Sequence, residues 1–359
     1  MPVIDGNQKQ IDLEKFKEMI DLFQSRGFNY YDTAYVYHGG KSEEGVREAL
    51  VKRYPRDQFT ITTKMPMFKI NTADELERIF NEQLERLGVE YIDYYWLHAL
   101  DKKEYAKAQE LKAFEFISNK KAEGKIRHIG FSFHDMPDLL ERILCDHPET
   151  EYVQLQINYL DWDSPTVCGR ECYEIATRYG KPVIVMEPVK GGALAKVPES
   201  VERMFRNHNP ENSVASWAMR YAASPENIFM VLSGMSDMAQ IEDNTAHMAD
   251  FKPINKREAE IINIAAQVIK NSTVIPCTSC RYCVDGCPKK IAIPYYFTLY
   301  NEHKLKKVKS DNAHNLYNNY GNGGKASECV ECGLCEKICP QHLEIRKHLK
   351  DVAATFETK

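Results

Sequence analysis

The chain carries 11 cysteines, and eight of them form two runs near its C-terminal end. Cys277, Cys280, Cys283 and Cys287 precede Pro288, and Cys329, Cys332, Cys335 and Cys339 precede Pro340. Each run reads C-x2-C-x2-C-x3-C-P, and the second repeats the first at every cysteine with an offset of 52 residues. Three thiolates two residues apart sit on one tight loop, where they can wrap an iron–sulfur cube corner by corner. The fourth is carried off by the next turn and reaches the other cube. Cys277, Cys280, Cys283 and Cys339 are therefore expected to bind one [4Fe–4S] cluster, and Cys329, Cys332, Cys335 and Cys287 a second. A single run would also suit zinc, but two matched runs point to clusters. Disulfides rarely crowd at one end with such short spacings, so a reducing, cytoplasmic setting is expected. Cys145, Cys168 and Cys172 lack a ligand pattern and read as structural or free thiols.

A second set of polar residues needs a larger scaffold. The 359 residues allow a large barrel and a small module. With 47 basic and 52 acidic side chains the net charge is −5, which argues against a nucleic-acid partner. No apolar run is long enough to cross a membrane, and Met1 to Gln10 lack a signal-peptide core. Helical periodicity is expected over 12–26, 41–54, 72–88 and 104–122. Strands are expected near 28–34, 59–64, 91–98, 126–133, 152–158, 182–187 and 228–233. The residues ending these strands recur regularly: Asp32, Lys64, His98 and Ser132 lie 32, 34 and 34 apart, followed by Gln154, Glu187 and Gly234. A (β/α)8 barrel of about 250 residues spends about 31 on each unit and builds its active site at these strand ends. No G-x-G-x-x-G follows a strand, which disfavours a doubly wound dinucleotide fold. The expected fold is thus an α/β (β/α)8 TIM barrel over 1–265, then a small α+β module over 266–359. Only seven barrel strands are legible, so the first strand is expected to be missing from this chain. Between the cysteine runs, Lys304, Lys306, Lys307 and Lys309 read as a solvated helix face, or as a docking patch for an acidic electron carrier.

The strand ends also carry a resemblance. Asp32-Thr33-Ala34, then Tyr37, Gly39-Gly40 and Ser42-Glu43, are similar to the D-T-A-x-x-Y stretch of aldo/keto reductases. Lys64 and His98 end the next two strands, as in that family's tetrad. The resemblance spans about residues 12–250 and implies reduction of a carbonyl, or oxidation of an alcohol, by nicotinamide hydride transfer. Tyr37 would supply the proton. With an ordinary pKa near 10 it needs tuning, which a neighbouring Lys64 held by Asp32 is expected to provide by lowering it. His98 would hydrogen-bond the substrate oxygen. The same resemblance places Ser132 and Gln154 at the nicotinamide carboxamide, with Phe133 where an asparagine is usual. Met186 stands where a tyrosine often stacks on the ring, and Asn244 at the adenosine end. No Lys or Arg lies between Gly234 and Asn244 to meet a 2′-phosphate. NAD(H) is therefore expected to serve as well as NADP(H).

Residues 270–345 resemble a two-cluster ferredoxin, and the whole chain resembles aldo/keto reductases fused to such a module. Hydride carries two electrons and each cluster takes one, so a flavin is one conceivable mediator. The resemblance implies a small-molecule substrate, and a redox protein stands as a second candidate partner. Two other readings stand beside it. One is a ferredoxin- or flavin-linked oxidoreductase in which the clusters supply electrons. The other is a non-catalytic redox sensor on a reductase barrel.

Overall fold

A computed structural model describes residues 1–305, 310–321 and 323–357. Lys306, Lys307, Lys309 and Asn322 lie outside the described residues. Seven strands form one sheet: β1 (Tyr30–Asp32), β2 (Thr60–Met65), β3 (Ile92–Leu100), β4 (Ile126–Phe133), β5 (Tyr152–Gln156), β6 (Val183–Met186) and β7 (Ile228–Val231). Each pairs parallel with the next, and the order along the sheet is the order along the chain. Parallel neighbours need a crossover, and helices supply it. The sheet is strongly curled. Four strand spacings of about 4.8 Å would hold β3 and β7 about 19 Å apart in a flat sheet. Instead the rings of Tyr94 on β3 and Phe229 on β7 are 6.3 Å apart. This is a seven-strand portion of the expected barrel, and among the described residues no strand joins β1 to β7.

The helices form where their caps and apolar faces dictate. In Leu13–Ser25 the Asp12 carboxylate accepts the Lys15 N–H at 3.1 Å, and Phe16, Met19 and Ile20 face inward. Ala73–Leu87 starts where the Glu75 carboxylate accepts the Asn71 N–H at 2.7 Å. It ends at Gly88, whose φ of +70° suits the left-handed cap. The continuous helix expected over 104–122 is instead two, Lys102–Glu110 and Ala113–Ala122, broken at Lys112 with φ +55°. The break lets Tyr105 and Ala108 on one side and Phe114 and Ile117 on the other all reach the core. The helix expected over 41–54 is α-helical only for Ser42–Val46 and widens to a π turn over Arg47–Val51.

Alternation along each strand makes two environments. Outward residues such as Ile61, Leu97, Phe131, Val153 and Val185 pack against the helices and form the main core. Inward residues are aromatic. Tyr94 lies 5.4 Å from Tyr30, 4.8 Å from His128 and 5.3 Å from Tyr152, ring centre to ring centre. Trp96 joins this layer because Gly130 on β4 leaves room for it. A Cβ there would stand 2.3 Å from the Tyr152 carbonyl oxygen and 2.7 Å from the Trp96 ring.

The chain divides into two compact units, Met1–Pro188 with Ala215–Asn255, and Val189–Val214 with Lys256–Lys359. The helix Lys256–Asn271 belongs whole to the second unit, so residue 265 falls inside it. That unit has its own core of Ile275, Ile293, Tyr296, Phe297, Tyr317, Leu349 and Phe356. Its described secondary structure is helical. The backbone repeats with the cysteines: Ser279 and Glu331 have φ of +56° and +54°, Arg281 and Gly333 +69° and +71°, Lys290 and His342 +52° and +50°. Each pair is offset by the same 52 residues. Among the described residues no helix is long and apolar enough to cross a membrane.

Gly130→Ala tests the inner packing. Its methyl has no free volume, so the folded state is expected to lose about 1–3 kcal/mol. A urea-unfolding midpoint equal to that of the parent chain would contradict this account.

Candidate functional site

Asp32, the last residue of β1, and Lys64 on β2 meet at the C-terminal end of the sheet. The Lys64 ammonium donates to Asp32 Oδ2 at 2.6 Å and to the Thr33 carbonyl oxygen at 2.8 Å. The lysine side chain is 1 % exposed. A buried ammonium requires such partners. Burial pushes the Asp32 carboxyl up, while Lys64 pulls it down. Behind Lys64 lies a buried polar net. Gln83 donates to the Lys64 carbonyl oxygen at 3.1 Å and to Glu43 at 2.8 Å, and Thr63 donates to Glu43 at 2.6 Å.

Tyr37 follows β1 on a short turn, and its ring lies 5.0 Å from Lys64 Nζ and 5.8 Å from the His98 ring. His98 is brought in by a register shift between Leu97 and Leu100. There Ala99 takes φ +54° and gives its N–H to Ser132 Oγ at 2.7 Å. His98 is buried, with no protein partner for Nδ1. Burial, then the charge on Lys64, holds the imidazole well below its ordinary range. The neutral ring is therefore the resident form, suited to hydrogen bonding.

The tyrosine departs from expectation. Burial raises the Tyr37 phenol far above its ordinary value, and the Asp32 and Glu187 carboxylates raise it further. No lowering by Lys64, whose charge is paired with Asp32, offsets this. In this arrangement the phenol stays protonated and is a weaker acid than an ordinary tyrosine, the opposite of the lowering expected from Lys64.

Glu187 was visible in sequence only as a strand-end residue. It adjoins β6 in a left-handed conformation, φ +58°, and its carbonyl accepts the Asn158 amide at 3.0 Å. Phe68, whose ring is 5.6 Å from His98, has no signal in the sequence because it sits in a short turn without periodicity.

The residues expected at a nicotinamide are spread along the same strand ends. Gln154 is buried and its Oε1 has no protein partner, so it suits a carboxamide N–H. Ser132 accepts from Ala99 and keeps its own hydroxyl proton to donate. Phe133 is buried in the core. Met186 closes β6, half-buried. Asn244 gives its amide to Ser233 Oγ at 3.0 Å, across the start of the helix Met238–Ala249.

In the second unit, Cys277, Cys280, Cys283 and Cys339 line one cavity of about 320 Å3, counting its open mouth. Thr278 also lines it, and its buried hydroxyl has no protein partner. Burial and neighbouring thiols push Cys277 to about 11 and Cys283 to about 12. Four crowded sulfurs of this kind favour a cationic centre, which would deprotonate them. Among the described residues no three Cys, His, Asp or Glu are spaced for a single metal ion. Four cysteines around one cavity are the donor set that a four-iron cube takes. In the other set burial lifts Cys335 to about 11, with Glu336 and then Cys329 adding to it; Cys332 is exposed. Cys168 and Cys172 pack in the main core, and Cys145 is exposed.

A parallel β/α barrel with tyrosine, histidine and an aspartate-bound lysine at its strand ends defines an oxidoreductase scaffold. The chain belongs to the aldo/keto reductase family, whose model matches residues 3–267, and a 4Fe-4S dicluster domain matches residues 276–344. It is 28% identical to "Probable aldo-keto reductase 1" of Glycine max over 62% of this chain and 68% of that one. It is 23% identical to "L-galactose dehydrogenase" of Arabidopsis thaliana, covering 69% and 82%. The fold matches aldo-keto reductase AKR11C1 from Bacillus halodurans with a TM-score of 0.60 at 22% identity, over 72% of this chain and 89% of that one. An aldo-keto reductase from Klebsiella pneumoniae in complex with NADPH matches at 0.58 and 18%, covering 73% and 88%.

The neutral His98 predicts a pH dependence. Below pH 6.5 the unfolded chain binds a proton that the folded imidazole refuses, so stability falls as pH drops through that value. His98→Gln is expected to flatten this part of the curve. Urea titrations above and below pH 6.5 check it, and parallel curves for parent and variant would exclude His98 as the source.

Proposed function

We propose that this protein reduces a small-molecule carbonyl compound, or oxidises the matching alcohol, using NAD(P)H. We also propose that its eight C-terminal cysteines hold two [4Fe–4S] clusters that exchange electrons with a redox protein. The gathering of Tyr37, His98, Lys64 and Asp32 at neighbouring strand ends carries the first part. A reduced nicotinamide bound at this rim supplies hydride to the carbonyl carbon. Gln154 and Ser132 would hold its carboxamide, Met186 would pack on its ring and Asn244 would meet the adenosine end. Tyr37 gives its phenolic proton to the substrate oxygen, and His98 orients that oxygen. Lys64, fixed by Asp32, steadies the negative charge left on the tyrosine. The alcohol oxidation runs the same proton backward. The NADPH-bound Klebsiella structure and the L-galactose dehydrogenase of Arabidopsis support the cofactor and substrate classes.

The second part is carried by the shared cavity of Cys277, Cys280, Cys283 and Cys339 and by the repeated left-handed backbone at both runs. Cys287, Cys329, Cys332 and Cys335 are assigned to the second cluster on that repeat. When bound, such clusters supply one-electron transfer.

Tyr37→Phe is expected to lower kcat/KM for NAD(P)H-dependent carbonyl reduction by roughly 10²–10⁴-fold with cofactor binding preserved. Parent-like turnover would remove Tyr37 from the chemistry and with it the proposed mechanism. Anaerobically prepared protein is expected to hold about eight irons and eight sulfides per chain, as two four-iron cubes require. Four irons would reduce the reading to one cluster, and zinc in their place would overturn it. The same absorbance scan reveals a flavin if one mediates between hydride and clusters.

A further inference from the structure

The segment following β6 contains a lysine that the reductase chemistry does not use. Lys190 is 6 % exposed, although its backbone takes the left-handed φ of +48°. Gly191 and Gly192 continue with φ of +61° and +93°. A buried lysine in a conformation that side-chain-bearing residues disfavour must be held by its surroundings. Those surroundings are the walls of the cysteine cavity. Lys190 Nζ donates to Gln341 Oε1 at 2.6 Å, and Gln341 lies two residues beyond Cys339 and lines the cavity. Gly191 packs on the other wall: a Cβ there would stand 2.4 Å from the Thr278 carbonyl oxygen, between Cys277 and Cys280. The segment thus touches both stretches of chain that bring the four cysteines together.

We propose that Lys190 tunes the redox centre held by Cys277, Cys280, Cys283 and Cys339, its ammonium, fixed through Gln341, favouring the reduced and more negative state. This rests on the reading of those cysteines as cluster ligands. A centre with four thiolates gains one negative charge on reduction, and a fixed cation in a poorly solvated wall stabilises that charge. Lys190 acts through position and charge, not through contact with substrate.

Two variants separate charge from packing in the full, anaerobically reconstituted chain. Lys190→Gln can still donate to Gln341 but carries no charge, and Lys190→Arg keeps the charge. EPR-monitored redox titration is expected to show two midpoint potentials in the parent chain. In Lys190→Gln one of them shifts to lower potential and the other stays. In Lys190→Arg both stay near the parent values. Unmoved potentials in Lys190→Gln, equal shifts in the two variants, or iron loss in both would make the contact purely structural and overturn the proposal. A parent chain without iron would instead overturn the cluster reading itself, so the two failures are distinguishable by iron content alone.

Discussion

The ammonium of Lys64, almost wholly withdrawn from water, constrains the reductase unit more than any other group. Charge cannot be buried there without partners, and Asp32 and the Thr33 carbonyl provide them. Those partners lie at the end of β1, so the pair also locks β1 to β2 in the register Asp32 with Thr62. The ordering passes outward to Thr63, Gln83 and Glu43, which fill the space behind the lysine with polar contacts. The same lysine lies 5.0 Å from the Tyr37 ring. Its position therefore accounts for the order of the site, while burial and the Asp32 and Glu187 carboxylates keep Tyr37 protonated.

Much of this was legible in the sequence, and for a physical reason. Strand ends in a parallel barrel point at one rim, so polar types recurring there at a steady interval mark that rim directly in the chain. Asp32, Lys64, His98, Ser132 and Gln154 all stand out in this way. What was not legible depended on backbone conformation. Lys112 in the left-handed region splits a helix that periodicity alone draws as continuous. Ala99 in the same region turns His98 inward, and nothing about alanine announces it. The influence of Glu187 on Tyr37 is a matter of through-space charge between strands far apart in sequence. No local pattern encodes it.

The cysteine repeat shows the opposite balance. Its spacing was plain, yet the spacing says nothing about why Ser279, Arg281, Glu331 and Lys290 should adopt conformations that side chains disfavour. The structure answers this through the second copy. At each of three positions the left-handed backbone recurs 52 residues later, with Gly333 relieving one site that Arg281 endures. Local sequence preference differs between the copies while the conformation does not. The conformation therefore belongs to the repeated cysteine loop and not to local residue preference.

Electron count gives the two halves a common logic. A hydride carries two electrons, and a single cluster accepts one. Two clusters of similar potential could together hold what one hydride equivalent delivers, whereas two of unequal potential would favour stepwise passage. The relation between the two potentials then matters more than either alone. Lys190 reaches the cavity of Cys277, Cys280, Cys283 and Cys339 through Gln341, whereas Val330 and Leu334, beside Cys329 and Cys335 of the other set, are exposed. Unequal surroundings of this kind would separate the potentials of the two proposed clusters, because solvent exposure and nearby charge act on a reduced cube more than on an oxidised one. The sequence symmetry of the two runs is thus broken by their environments.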